Sequence, residues 1–304
     1  MSVDAVLIAG PTACGKSAAA IALAERLRGV IINADSMQVY SELRTLTARP
    51  SEKDEARVPH HLYGHVSMHE RYSAGRYQDE AISALADIRA QNLLPVFVGG
   101  TGLYFAALTE GLSPIPSVPQ DIRNAVRQRF EDLGRDAFFA DLAQRDPTMA
   151  AKLRPSDTQR LLRAADVLEA TGRSLSEWQG LSGAPALAGL RLARFVVAPK
   201  RETLAARIND RFDAMIKSDA LTEARNVRGL DPSLPAARAL GLPQIWRHLD
   251  GELDLQTAMD QAKLATRQYA KRQLTWFRNR MGDWNWLEAD EISNLVAVLS
   301  KELS

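Results

Sequence analysis

Three observations predict an α/β fold in which a parallel sheet is flanked by helices and an all-helical lobe is inserted in the chain. Residues 10–17 read GPTACGKS, a complete GxxxxGK[ST] loop. Apolar runs alternate with helix-period segments over the first hundred residues, and an apolar run returns near residue 192. Between 118 and 186 the strand signal stops, leaving charged sequence of helical period. Alternating strands and helices build parallel sheets whose ligands lie at the carboxyl ends of the strands. The 304 residues, 46% of them hydrophobic, suffice for one large core plus a smaller satellite.

The elements justify themselves in order. Residues 3–9 (VDAVLIA) make a buried strand that feeds the glycine loop, and an alanine-rich helix follows over 16–28. That strand–loop–helix context is what the motif requires, and it makes the core P-loop NTPase-like. Gly10 and Gly15 let the backbone curl until successive N–H groups face one anion, and the helix start adds its dipole. Pro11, Thr12, Ala13 and Cys14 complete the curl. Lys16 brings a point charge, and the Ser17 hydroxyl offers a magnesium ligand or a proton-transfer role. The predicted ligand is a di- or triphosphate.

A strand at 30–33 carries Asp35 just beyond its end. A helix near 75–91 leads to a strand at 93–99 (LLPVFVG), then Gly-Gly-Thr-Gly and a helix over 102–110. Three strand ends, at 10, 35–38 and 99–102, converge on one crevice. A Pro/Ser-rich stretch at 113–119 breaks the alternation. Helices at 120–132, 134–145, 157–171 and 174–180 make the lobe, closed by a Gly/Ala/Pro-rich loop at 180–189. A strand at 192–198 rejoins the sheet, followed by helices over 200–217, 219–228, 241–250 and 255–280. Two domains are expected: 1–117 together with 187–304, and 118–186 inserted between them.

Composition sets limits. A net charge of +1 creates no global field for polyanions, so a nucleic-acid surface has to be local. Cys14 is the single cysteine, which excludes a disulfide framework and a multi-cysteine zinc site and fits a reducing cytoplasm. The chain enters its first strand without a basic-then-apolar leader, and no run approaches about 18 apolar residues, so no membrane association is expected. His60, His61, His65 and His69 share no clean face and have no acidic or cysteine partners in pattern, so a metal centre is not expected there.

Asp35 has two chemical uses at a strand end beside a phosphate loop, organising magnesium or acting as a general base, and one structural use as an Asx cap. Ser36, Met37 and Gln38 follow it, and an amide beside a carboxylate can read a purine edge. Arg207 and Arg211, at i and i+4, share one helix face. They either bring cations to a phosphate or pair with Asp210 and Asp213. Five cations within 267–280 interleave with Tyr269, Trp276 and Phe277. That mixture serves RNA binding through backbone charge and stacking, or an amphipathic helix packing its aromatics.

Six ordered motifs then resemble one family. They are GPTACGKS (10–17), DSMQVYSELRTLTARP (35–50), PHHLYGHV (59–66), VGGTGLYFAALTEGLSPIP (98–116), DTQRLLRA (157–164) and TRQYAKRQLTWFR (266–278). Over residues 6 to about 287 the chain resembles the tRNA dimethylallyltransferases, which prenylate the adenosine 3′ of the anticodon. The resemblance implies that the loop holds the diphosphate of dimethylallyl diphosphate rather than a nucleotide. It implies magnesium as cofactor, the tRNA anticodon stem-loop as partner, and a cytoplasmic monomer of compact bacterial type with no obligatory protein partner. By similarity Asp35 takes the proton of the adenine amine, residues 12–17 cradle the diphosphate, and Ser17 binds it or its Mg²⁺. Arg211 matches the diphosphate-contacting arginine. Asp35, Ser36, Met37 and Gln38, with Thr101, Arg123 and the run Gln159, Arg160, Leu161, Leu162 and Arg163, match tRNA-contacting positions. The target base has to be flipped to be reached.

One departure stands at Arg238–Gln244, which reads RALGLPQ. Leu242 and Pro243 replace the Tyr and Arg that many relatives carry there, which puts a family contact in doubt. Three rivals remain: an isopentenyltransferase of free adenine nucleotides, a P-loop kinase or nucleotidase, and a non-catalytic RNA-binding module. The last leaves an intact phosphate loop without a use.

Overall fold

The computed structural model describes residues 3–181, 183–288 and 297. The first half of the sheet domain is β1 (Ala5–Ala9), α1 (Lys16–Leu27), β2 (Gly29–Asn33), α2 (Glu52–Arg57), β3 (His60–His61), α3 (Ala74–Ala90), β4 (Leu94–Gly99) and α4 (Gly102–Thr109). A helical stretch follows: α5 (Gln120–Arg145), α6 (Pro147–Ala150), α7 (Thr158–Thr171) and α8 (Leu175–Gln179). The chain then returns through β5 (Leu192–Val197), α9 (Arg201–Lys217), α10 (Ala220–Asn226), α11 (Leu242–Leu249), α12 (Leu255–Arg280) and β6 (Asn285–Leu287).

Among the described residues six strands form one parallel sheet in the order β3-β2-β4-β1-β5-β6. Every residue of β1 and β2 is buried, as a parallel strand covered on both faces requires. Alternate side chains serve opposite layers. Ala5, Leu7 and Ala9 join Tyr77 and Ala81 of α3 and Phe105 of α4, while Val6 and Ile8 join Ala19, Ala20 and Leu23 of α1 and Leu204 and Ile208 of α9. Each fully buried Leu, Ile or Phe contributes about 1.5–3 kcal/mol. Chain direction across the sheet diverges between β1 and β4, which creates the crevice where ligands of open α/β sheets bind. Their register pairs Ala9 with Gly99, and Asn33 of β2 with Val98, so three carboxyl ends lie level.

The described residues fall into two compact units, one up to Thr109 and from Ala186 onward, the other Glu110–Pro185. Those limits differ from 118 and 186 for packing reasons. Val118 is buried and Ile115 packs with the helical core of Phe138, Leu142 and Leu161, and Leu112 lies against Gly183. Ala186 packs on the sheet core, and the Leu187 N–H donates to the Leu108 carbonyl at 2.9 Å. Of the domain expected to reach 304, residues beyond 288 other than 297 lie outside those described. Within the helical unit the segments expected at 120–132 and 134–145 form α5 with a break at Gly134, where φ is 72° and ψ 168°.

Candidate functional site: a phosphate cradle facing a carboxylate

The loop between β1 and α1 curls as its residue types demand. A Cβ on Gly10 would stand 2.7 Å from Cys14 Sγ and 2.8 Å from the Val197 carbonyl oxygen. Gly15 takes φ 95° and Ala13 takes φ 64°, a left-handed geometry that costs an alanine roughly 1–2 kcal/mol. Cys14 is buried beneath the loop. Because α1 begins at Lys16, its N-terminal dipoles are directed at the loop interior. The buried Lys16 ammonium donates to the Pro11 carbonyl at 3.1 Å.

A cavity of about 300 Å³ opens there, lined by Thr12, Ala13, Gly15, Lys16 and Ser17 of the loop, by Asp35 and Gln38, and by Arg207 and Arg211 of α9. Both arginines turn to the loop. The Arg211 guanidinium donates to Thr12 Oγ1, and Arg207 Nη1 donates to the Cys14 carbonyl at 3.3 Å. Asp213 pairs instead with Lys263 of α12. Burial pulls the Arg211 pKa down, against the charge of Asp35, which raises it. Thr12 lines the cavity with the rest of the loop, and its N–H donates to Gln273 Oε1 at 3.0 Å.

Asp35 reaches the cavity from the end of β2. The buried Asn33 braces it: Asn33 Oδ1 accepts from the Asp35 N–H at 2.8 Å, and Asn33 Nδ2 donates to the Asp35 and Leu62 carbonyls at 2.9 and 3.0 Å. Asp35 Oδ1 accepts from the Met37 N–H at 3.0 Å, so the carboxylate closes an Asx turn and also faces the cavity. Thr101 N–H donates to the Ala34 carbonyl at 3.1 Å and Thr101 Oγ1 accepts from the Ser36 N–H at 2.9 Å, tying the β2 and β4 ends together. Gln38 donates its amide N–H groups to the Thr47 and Ala48 carbonyls at 3.0 and 2.8 Å. Burial first, and the Asp35 charge second, hold the phenols of Tyr63, Tyr104 and Tyr269 well above their ordinary value, so these rings stay neutral.

In the helical unit the QRLLR segment divides. Gln159 and Arg160 are exposed, but Leu161 is completely buried in the core and Leu162 packs against it, so Leu161 has no surface to offer RNA. Arg163 is half-buried, and its pKa is lowered by burial and by the neighbouring charge of Arg123. In α12, Gln273 and Phe277 are buried while Lys271, Arg272 and Trp276 line an open groove of about 510 Å³. Trp276 packs over Gly102, and Arg272 lies 5.7 Å from the Tyr269 ring centre. At the departure from the family pattern, Leu242 is a core residue and Pro243 is exposed in the first turn of α11. His60 Nδ1 pairs with the Val58 carbonyl and His65 Nε2 with Glu80.

Sequence reasoning missed Asn33, Gln273 and Glu223. The Glu223 carboxylate accepts from the Thr45 and Leu46 N–H groups at 2.6 and 2.9 Å and so holds the loop that Gln38 also grips. The available signal was polarity out of place: Asn33 ends an all-apolar strand, and Gln273 falls on the small-residue stripe of α12.

A parallel sheet, a glycine loop with two arginines on it, and a carboxylate lining the same cavity define a P-loop α/β enzyme core. The chain belongs to the IPP transferase family, whose model matches residues 38–280, and an isopentenyl transferase model matches residues 3–63. It is 51% identical over 290 residues to the tRNA dimethylallyltransferase of Nitrobacter hamburgensis, covering 95% of this chain and 92% of that protein. Identity to the tRNA dimethylallyltransferase of Rhodopseudomonas palustris strain BisB18 is 52% over 288 residues, 94% of this chain and 91% of that one. The structure is similar to the full-length tRNA isopentenylpyrophosphate transferase of Bacillus halodurans, with TM-score 0.70, 31% identity and coverage of 99% and 97% of the two chains. Likeness to a eukaryotic dimethylallyltransferase acting on tRNA gives TM-score 0.82 at 28% identity, over 99% of this chain and 77% of that one.

Proposed function

We propose that this chain transfers a dimethylallyl group from dimethylallyl diphosphate to the exocyclic amine of the adenosine 3′ of the tRNA anticodon. The observation that carries the reading is one cavity lined by the phosphate loop, Arg211 and Asp35. In the reaction the allylic C–O bond breaks, the amine nitrogen bonds to that carbon, diphosphate leaves, and the amine proton passes to Asp35. Adenine amines are poor nucleophiles because their lone pair is delocalised, so a placed base and a stabilised leaving group are both needed. Lys16, Arg211 and the α1 N-terminus supply the leaving-group charge, as P-loop sites do for phosphates. No phosphorus–oxygen bond breaks, which agrees with a carboxylate placed for proton transfer.

Magnesium fits the residues present. The Ser17 hydroxyl is a hard oxygen donor on the cavity wall, and no cluster of three His, Cys, Asp or Glu groups exists among the described residues. Mg²⁺ characteristically takes few protein ligands and completes its shell with phosphate oxygens and water. Ser17 would hold it, and when bound it would neutralise diphosphate charge. On the RNA side the reading assigns Thr101, Arg123, Gln159, Arg160 and Arg163 to the anticodon stem-loop. Among the described residues no helix is long and apolar enough to cross a membrane, and a cytoplasmic setting is supported by the lone buried cysteine.

The test is mass spectrometry of tRNA nucleosides after incubation with protein, magnesium and dimethylallyl diphosphate. The expected product is N6-dimethylallyl adenosine. Prenylated AMP or ATP with unmodified tRNA, or phosphate release from ATP without prenylation, would overturn the reading.

A further inference from the structure

Gln273 is 6% exposed and sits among the buried positions of α12, which otherwise carry Ala258, Ala262, Thr266, Ala270 and Phe277. Burying a primary amide is unfavourable unless both ends are hydrogen-bonded. Both are: Gln273 Oε1 accepts from the Thr12 N–H at 3.0 Å, and Gln273 Nε2 donates to the Gly100 carbonyl at 2.8 Å. Gly100 makes room for this, since a Cβ there would stand 2.3 Å from Gln273 Nε2 and 3.2 Å from Asp35 Oδ2.

The two loops so joined carry opposite halves of the reaction. Thr12 opens the anion cradle, and its hydroxyl receives Arg211. Gly100 precedes Thr101, which holds the Ala34–Ser36 turn and with it Asp35. We propose that Gln273 is a positioning residue that fixes the spacing between the diphosphate cradle and the Asp35 carboxylate. The inference rests on the activity proposed above. A planar neutral amide is the side chain that offers one acceptor to Thr12 and one donor to Gly100 without placing charge beside a diphosphate. Displacement at carbon demands that nucleophile and leaving group be aligned, and a misplacement of about 1 Å can cost about 100-fold in rate. Gln273 therefore acts on turnover more than on donor affinity.

The test compares full-length wild type with Gln273→Leu and the isosteric Gln273→Glu, measuring kcat, KM and calorimetric affinity for dimethylallyl diphosphate. Gln273→Leu is expected to lower kcat about 10- to 100-fold while donor affinity changes less than about fivefold. Gln273→Glu is expected to lose a similar factor at about pH 8, and its rate relative to wild type is expected to recover toward about pH 6. The reason is that a protonated carboxyl again presents one donor and one acceptor, and burial raises its pKa above the ordinary glutamate value. A role in packing alone would lower the melting temperature and leave kcat within about twofold, and that result overturns the proposal. If Gln273→Leu does not fold, a pH-independent Gln273→Glu to wild-type ratio overturns it equally. An inactive wild type would sink the proposed activity and this inference with it, whereas an active wild type with unaltered variants sinks this inference alone.

Discussion

One oxygen of Asp35 is spent on the Met37 N–H, and Asn33 fixes the backbone on which the side chain stands, so the carboxylate is held before any substrate arrives. Preorganisation of this kind separates binding from chemistry at a single residue. Asp35→Asn keeps the acceptor for Met37 and removes the base. Its turnover is expected to fall about 10²- to 10⁴-fold, the usual worth of a positioned general base. Donor affinity should stay within a few-fold, because the cations for diphosphate lie on other elements. Single-turnover prenylation and calorimetry on the same preparation measure the two quantities. A turnover within tenfold of wild type would remove Asp35 from the proton transfer. Gln38 makes the complementary point: its amide N–H groups serve Thr47 and Ala48, so its contribution begins with the shape of the cavity wall.

Elements deliver these residues, and the strong local signals in the chain mark most of the elements. The glycine loop, the apolar strands and the helical period sustained over the 26 residues of α12 were legible because their patterns extend over many residues. What escaped was short or held from afar. β3 is two histidines paired to Ile31 and Ile32, and β6 is three residues added beside β5, with no alternation to read. The shared helix face of Arg207 and Arg211 was legible by i, i+4 placement, though not whether it served a phosphate or Asp210 and Asp213, and the pairing of Glu223 with Thr45 and Leu46 spans nearly 180 residues and has no local mark. That carboxylate satisfies two backbone donors in the loop whose residues Thr47 and Ala48 line the cavity. Glu223→Ala should therefore speed hydrogen exchange at Thr45 and Leu46 and lower stability by about 1–3 kcal/mol, the cost of unmet buried donors. Unchanged exchange at those two amides would show that the loop stands without it. In the helical unit Glu169 receives Arg129 and Arg145, each at 2.7 Å, and the Arg145 hydrogen bond first, then that of Arg129, holds its pKa below the ordinary 4.5 against desolvation. A lowered folded pKa stabilises above the unfolded value and is lost as pH falls through the folded one. Acid titration should thus destabilise this unit below about pH 4.5, and Glu169→Gln should flatten that part of the curve followed by circular dichroism.

At the scale of the whole molecule, a chain of net charge +1 has no general attraction for RNA, so local cations have to supply the counterion release that RNA binding draws on. On the proposed reading Arg123 and Arg163 belong to that set, and Arg163 carries a cost to the free protein. Arg163 is half-buried: burial disfavours its charge most, the Asp166 carboxylate favours it next, and Arg123 disfavours it least of the three. A cation kept partly desolvated weakens the folded state, and a polyanion that meets it offsets part of that cost. Arg163→Leu separates the two effects. Leucine carries no charge to desolvate but also removes the attraction to Asp166, so thermal stability should stay within about 1 kcal/mol of wild type. Its affinity for tRNA should fall about tenfold, with the slope of log K against log salt becoming shallower by nearly 1, the signature of one lost phosphate contact. Affinity for dimethylallyl diphosphate should not change. Filter binding across a salt series, with a melting curve of the same protein, reads all of this. A variant that loses stability while keeping the wild-type salt slope would make Arg163 a structural residue and move the RNA surface elsewhere.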